Sequence, residues 1–184
     1  MVIEELRSVI PQVKAIIISD YGKGFLAPNV LRTLLTEARA ENIPVMVDPK
    51  GMDFSRYKGA SYITPNIREA SLASGIDIVD QQTMDSAGRT LLKETNAEGI
   101  VLTRGREGIS LISENGLEHF SVKPVEIVDV TGAGDTVIST IALAVASGLN
   151  IQDAIQLANL AASLVVSRFG AATVTLEEMV DSIR

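Results

Sequence analysis

Cysteine is absent from the 184 residues, and histidine occurs once, at His119. Without thiols the chain can build neither a disulfide framework nor a thiolate metal site. A single imidazole gives no histidine metal cluster and poor material for a Ser-His-Asp triad, so His119 reads as an ordinary, partly exposed strand residue. Tryptophan is also missing and aromatics make up only 4%, against 46% hydrophobic residues overall. The core must therefore be Val, Ile, Leu and Ala, a profile that suits an α/β protein. Basic residues are outnumbered, and the net charge of −7 excludes nucleic acid as the main partner, because a phosphate backbone needs a basic face. A small anionic ligand needs only a local pocket and stays open. Long apolar runs are lacking too. The longest, Val137 to Val145 and Leu157 to Val166, are Ala-rich, interrupted and too short to span a bilayer, and "MVIEELRSVI" does not pattern as a signal peptide. The expectation is a soluble cytoplasmic protein with no membrane partner.

What is present is an alternation of buried runs and helical periods. "VKAIIIS", Val13 to Ser19, has the continuous apolar character of a strand covered on both faces. "PNVLRTLLTEARAEN" follows with Val30, Leu31, Leu34, Leu35 and Ala38 at helical spacing and Pro28 suited to the first turn. "IPVMVDP" is a second buried strand, so strand, helix and strand make a βαβ unit with a parallel pair. "SYITPN" predicts a third strand, "IREASLAS" a helix ended by Gly75, "SAGRTLLKETNA" another helix and "GIVLTRG" a fourth strand. Next, "GISLISENGLEHFSV" alternates and turns at Asn115-Gly116, a hairpin signal that adds antiparallel strands to the sheet edge. A further buried strand is expected just before Gly132, and helices over Asp135 to Ser147, Ile151 to Arg168 and from Leu176. No linker or repeat divides the chain, so residues 1–184 read as one α/β domain.

In such sheets ligands bind at the carboxyl ends of the strands. The residues just after each predicted strand are Asp20 and Lys23, Asp48 and Lys50, Asn66 and Glu69, Thr103 to Gly105, and Asp129 to Asp135. In "DVTGAGD", Gly132 and Gly134 permit backbone angles that turn successive N–H groups one way, and Ala133 keeps the approach open. With the helix dipole behind it, the turn is either an anion site with Asp135 facing the anion, or a tight turn that Asp135 caps. The chemistry that fits the first reading is phosphoryl transfer to a hydroxyl. The amides of Gly132, Ala133 and Gly134 would stabilise the transferring group and Asp135 would take the alcohol proton. Other readings stand beside this one. Asn66 and Glu69 have the spacing of a capping box, Thr103 to Gly108 of a plain turn, Asn159 of a satisfied buried amide, and Lys23 and Lys50 of solvated charges.

"DVTGAGDT" is similar to the C-terminal signature of the ribokinase-like (PfkB) carbohydrate kinases. "TPNIREA" resembles that family's Asn-x-x-Glu element, "TRGREG" its Thr-x-Gly-x-x-Gly nucleotide loop, and "LANLAASLVVSRFGA" the helix bordering the adenine pocket, all in the family's order. The resemblance implies a ribokinase-like fold, a mostly parallel sheet flanked by helices with an antiparallel edge hairpin. It implies ATP and magnesium as cofactors, with Asn66, Ile67, Arg68, Glu69, Thr103, Gly105, Gly108, Asn159 and Lys50 on the nucleotide. Glu69 would reach Mg2+ through water, Asp129 a potassium ion as in some relatives, and Asp20 and Lys23 the acceptor. Asp135, Gly132, Ala133 and Gly134 would be catalytic. Within the family, "DPKGMDFSRYKGASYITPN" looks most like the heptose 7-phosphate kinases, which form the 1,7-bisphosphate on the way to ADP-heptose and lipopolysaccharide core sugar. The implied partners are a nucleotide, a phosphosugar and a second copy in a homo-oligomer, a dimer.

Complete members of the family begin with further strands that form the sugar-binding lid. The expectation is a domain without that lid and those first strands, its nucleotide side fuller than its acceptor side. A non-catalytic nucleotide-binding or assembly module is therefore the alternative function. A Rossmann dehydrogenase would want its Gly-rich turn after the first strand, and the chain has none there.

Overall fold

The apolar runs pair side by side in the order in which they occur. The structure, a computed structural model, describes residues 2–183. Strands β1 (Ile16–Ser19), β2 (Val45–Asp48), β3 (Tyr62–Ile63) and β4 (Gly99–Thr103) are parallel, and β5 (Ile109–Ser113) and β6 (Gly116–Phe120) continue the sheet antiparallel. The sheet has six strands in the order β1 to β6. The helices are α1 (Val2–Val9), α2 (Pro28–Ala40), α3 (Ile67–Ser74), α4 (Gln81–Thr95), α5 (Ala133–Ala146), α6 (Ile151–Val166) and α7 (Leu176–Asp181). The ribokinase-like mixed architecture expected from the sequence is the one observed.

Strand order that follows chain order has a consequence. Right-handed crossovers that always step the same way must all pass over the same face. The packing agrees, because side chains alternate between faces. Val45, Val47, Ile63, Ile100, Leu102 and Ile112 pack with Leu31, Leu34 and Leu35 of α2 and Met84 and Leu91 of α4. Met46, Val101, Ile109 and Leu111 face the other way, against Val137, Ile138 and Ile141 of α5 and Ile155 and Ala158 of α6. The alanines at Ala142, Ala144, Ala154, Ala158 and Ala161, all nearly or fully buried, let α5 and α6 pack closely on each other and on the sheet.

The segment before β1, to which the sequence reading assigned no element, forms α1. Three expectations shift. The third strand has only two residues. α4 starts at Gln81, five residues before the predicted start at Ser86, because Asp80 and Thr83 form a reciprocal cap; threonine in the role usually held by Glu or Gln hid the signal. The strand expected before Gly132 is absent. Residues 121–132 are irregular, and the amides of Val128 and Asp129 bond the Val166 carbonyl at the end of α6 instead of joining the sheet. Val130, 65% exposed, confirms that this run is not a buried strand.

Gly88 lies inside α4, where glycine costs roughly 1 kcal/mol relative to alanine. A Cβ there would stand 2.7–2.8 Å from Cβ, Cγ1 and Cγ2 of Ile112, the branch point of a fully buried β5 side chain. Close packing thus outweighs helix propensity. Gly88→Ala is expected to destabilise the fold by on the order of 1 kcal/mol despite the better helix former, read as a lower urea midpoint. An unchanged or raised midpoint would show that Ile112 can move aside.

Candidate active site

All four parallel strands end at one edge, and the loops beyond them carry the polar residues. Asp20 follows β1 and is 6% exposed. Its carboxylate accepts the Gly22 amide at 2.8 Å and the Tyr57 hydroxyl at 2.7 Å, with Arg56 Nη1 at 3.4 Å. The Tyr57 hydroxyl in turn accepts the Lys50 amide at 3.0 Å. Burial pushes the Tyr57 phenol above its ordinary pKa, so it remains a neutral donor to Asp20. Asp20 therefore faces inward and ties the loop after β1 to the loop after β2, while Lys23 stands exposed on the first of these loops.

Asp48 ends β2. Its carboxyl is pushed up to about 6, first by burial, then by the carboxylates of Glu69 and Asp135, with Lys50 opposing and Asp20 adding a smaller push. The ends of β1 and β2 and the starts of α3 and α5 thus share one acidic locus. At α3, Asn66 Oδ1 accepts the Glu69 amide at 2.9 Å and Glu69 Oε2 accepts the Asn66 amide at 3.0 Å, a complete capping box. Glu69 Oε1 remains toward Lys50 Nζ, 3.8 Å away. Ile67 is partly buried against the core and Arg68 exposed.

The next pair of loops is joined by backbone. Thr103 donates its amide to the Pro65 carbonyl at 2.9 Å, which sets the end of β4 beside Asn66. Gly105 opens a short 3-10 turn, closed where the Arg104 amide meets the Gly108 carbonyl at 2.8 Å. Gly108 has φ +85°, and a Cβ on it would overlap the Phe120 carbonyl oxygen, so two independent constraints require glycine. Asn159, buried on α6, donates Nδ2 to the same Phe120 carbonyl at 2.8 Å. The β5–β6 hairpin, the 103–108 loop and α6 are locked around one carbonyl.

Gly132 takes φ +79° as the residue before α5 and offers no side-chain cap. The first intrahelical bond runs from the Thr136 amide to the Gly132 carbonyl, 2.9 Å. The Ala133 amide already donates to the Val130 carbonyl at 3.2 Å, so the open amides at the helix start belong to Gly134 and Asp135 rather than to Ala133. Gly134 and Asp135 are both exposed. Asp129 is used otherwise: Oδ1 accepts the Thr131 hydroxyl at 2.7 Å and amide at 2.9 Å, and Oδ2 the Gly170 amide at 3.0 Å. The Thr131 hydroxyl foremost, then the Thr131 and Gly170 amides, holds its pKa below the ordinary carboxylate value.

Sequence reasoning singled out Asp20 and Lys50 but missed Tyr57 and Arg56, which join their loops. The signal was an aromatic beside an arginine in an otherwise polar loop. Asp48 was noticed only as a neighbour of Lys50, because its perturbation comes from residues 21 and 87 positions away in sequence.

Asp48 generates a pH dependence of stability. Its folded pKa lies above the ordinary 3.8, so between the two values the folded form binds the proton more tightly and stability falls as pH rises. The stabilising contribution is full below about pH 4 and is lost as pH rises through about 6. Asp48→Asn is therefore expected to raise the melting temperature at pH 7.5, with the gain vanishing near pH 4. A gain independent of pH would remove the raised pKa of Asp48 as its cause.

Among the described residues no helix is long and apolar enough to cross a membrane. The sequence profile of the pfkB family of carbohydrate kinases matches residues 3–179. The bifunctional protein HldE of Syntrophotalea carbinolica is 44% identical over 89% of this chain and 34% of its own length. That of Geobacter metallireducens is 43% identical over 97% of this chain and 36% of its own length. The chain spans about a third of the length of these curated relatives. An Arabidopsis thaliana ribokinase solved with ribose and ATP superposes with TM-score 0.85 at 20% identity, covering 97% of this chain and 58% of its own. Phosphofructokinase-2 from Escherichia coli, solved with potassium, gives TM-score 0.82 at 18% identity over 97% and 60%. The order of the strands, the glycine turn that opens α5 and the matched profile agree: the chain belongs to the pfkB family of carbohydrate kinases.

Proposed function

We propose that this chain is the nucleotide-handling part of an ATP-dependent kinase that phosphorylates O1 of D-glycero-β-D-manno-heptose 7-phosphate, in the cytoplasmic synthesis of ADP-heptose for lipopolysaccharide core. One observation carries the reading: the uncapped start of α5, with Asp135 in its first turn, sits close enough to Asp48 to perturb it, at the edge where Asn66, Glu69 and Lys50 also lie. The "DPKG" run that contains Lys50 supports the heptose 7-phosphate acceptor by its resemblance.

In this reading Asp135 accepts the proton of the attacking hydroxyl. An ordinary carboxylate suffices, because in a loose transition state the proton leaves late. The hydroxyl oxygen forms the new P–O bond while the bond to the nucleotide's bridging oxygen breaks and ADP leaves. The amides of Gly134 and Asp135, placed by Gly132 and Ala133, meet charge on the transferring group. Lys50 stands at the same edge, 3.8 Å from Glu69. Thr103, Gly105, Gly108 and Asn159 shape the nucleotide's far end, with Ile67 and Arg68 beside it; Asp20 fixes the loop that presents Lys23.

The residues fit magnesium in one way only. Among the described residues no group of three metal-ligating side chains exists. The acidic locus around Asp48, Glu69 and Asp135 would instead favour a cation held through waters and phosphate oxygens, Glu69 reaching it through water. Such an ion would neutralise charge on the phosphates. Asp129 does not fit potassium as well, since its oxygens already order the 129–131 turn and the loop at Gly170.

A second reading, a nucleotide-binding or assembly module without turnover, is supported by the outer edge of β1. No described strand pairs there, and Ile17 and Leu143 are 42% and 72% exposed.

Two measurements separate these. Calorimetric titration with ATP and magnesium is expected to show saturable binding; a folded protein that binds none would overturn both readings. Asp135→Asn is expected to lower phosphoryl transfer to heptose 7-phosphate by roughly a hundredfold or more while leaving nucleotide affinity nearly unchanged. Near-normal turnover would remove Asp135 as the base, and wild-type binding without any turnover would favour the module.

A further inference from the structure

Between the loops that follow β1 and β2 lies a cavity of about 490 Å³, walled by Leu26, Ala27, Met52 and glycines and entered by two cations, Lys50 and Arg56. Its size is that of a small-ligand site, several times what ordered water alone would need. Arg56 reaches it from the short 3-10 helix Phe54–Tyr57. The guanidinium is fixed from behind: Nη2 donates to the Leu26 carbonyl at 2.9 Å, Nη1 stands 3.4 Å from Asp20, and the Tyr57 ring lies under it at 5.5 Å. Those contacts occupy two of its five N–H donors, and about a third of the side chain, 32%, remains exposed. Lys50 is 58% exposed, and its nearest carboxylate oxygen, on Glu69 at 3.8 Å, is beyond hydrogen-bond distance. The cavity's own carboxylate, Asp53, turns to the amide and hydroxyl of Ser55.

A fixed fork and an exposed ammonium, both with unused donors in a mainly apolar hollow, call for an anion with several acceptor oxygens. A monocarboxylate would saturate the fork alone, whereas a phosphate monoester dianion matches both charges. We propose that this cavity binds the phosphate monoester carried by the acceptor, with Arg56 and Lys50 as its two cationic contacts. Lys50 stands between the cavity and Glu69, so a sugar anchored here by its phosphate extends toward the acidic edge and the start of α5. An unphosphorylated sugar would leave the Arg56 donors facing an apolar wall, which is how a site built for a polar group rejects analogues lacking it. That the anion belongs to a sugar rests on the kinase reading; the preference of the cavity for a phosphate does not.

The test uses mannose 6-phosphate, mannose and ATP with magnesium as separate calorimetric titrants of the whole chain. The wild type is expected to bind mannose 6-phosphate at least about tenfold more tightly than mannose, the worth of hydrogen bonds to a charged group. Arg56→Gln is expected to remove that advantage while changing ATP affinity less than about threefold. Equal binding of the two sugars, or an Arg56→Gln protein that keeps the preference, overturns the proposal. A tenfold loss of ATP affinity in Arg56→Gln also overturns it, by making the cavity a nucleotide-phosphate site. If Arg56→Gln melts below the assay temperature, Lys50→Gln must show a reduced preference for the phosphosugar, and an unchanged preference counts against the proposal. ATP binding without any phosphosugar preference would sink this inference and leave the kinase reading standing. A phosphosugar preference without ATP binding would do the reverse.

Discussion

The handedness of parallel crossovers governs what can meet at the edge of this sheet. Four parallel strands taken in chain order force α2, α3 and α4 onto a single face. The other face is left bare, an apolar surface of Met46, Val101, Ile109 and Leu111 that must be covered. The α5–α6 pair from the C-terminal part of the chain covers it. Because α5 runs back across β1 and β2, its first turn arrives at the carboxyl edge beside Asp48. The placement of Asp135 is thus a consequence of how the second face is closed.

At that edge, charge is handled in two ways. Asp20 is buried and held by a hydroxyl, an amide and a guanidinium, so it acts as structure. Asp48 is different: burial first, and then the nearby carboxylates of Glu69 and Asp135, raise its pKa. Mutually repelling carboxylates cost stability in the folded state and favour whatever cation relieves them. The cations divide correspondingly: Arg56 is fixed by Asp20, while Lys50 stands exposed between Glu69 and the cavity after β2.

Much of this was legible residue by residue. The continuous runs "VKAIIIS" and "IPVMVDP" gave parallel strands, although β1 is covered on one face only, with Ile17 42% exposed; Asn115-Gly116 gave the hairpin, and Pro28 opened α2. The spacing of Asn66 and Glu69 announced the cap that the structure contains. Other features resisted reading for physical reasons. The run before Gly132 has the composition of a strand, yet its amides find the end of α6, a partner 37 or more residues away. α4 hid its start behind a threonine cap, and Gly88 looked like a flaw in a helix until Ile112 was placed against it.

By itself the sequence determined the class of fold, the identity of the carboxyl-edge residues and the glycines at Gly108 and Gly132, because periodicity, turn chemistry and backbone freedom are local properties. Tertiary structure alone decided which of those residues share a site. The coupling of Asp48 to Asp135, the tie of Asp20 to Tyr57 and Arg56, and the common Phe120 acceptor of Asn159 all join residues at least 36 positions apart. Such contacts depend on how helices cover the two faces of a sheet, and no local pattern encodes them.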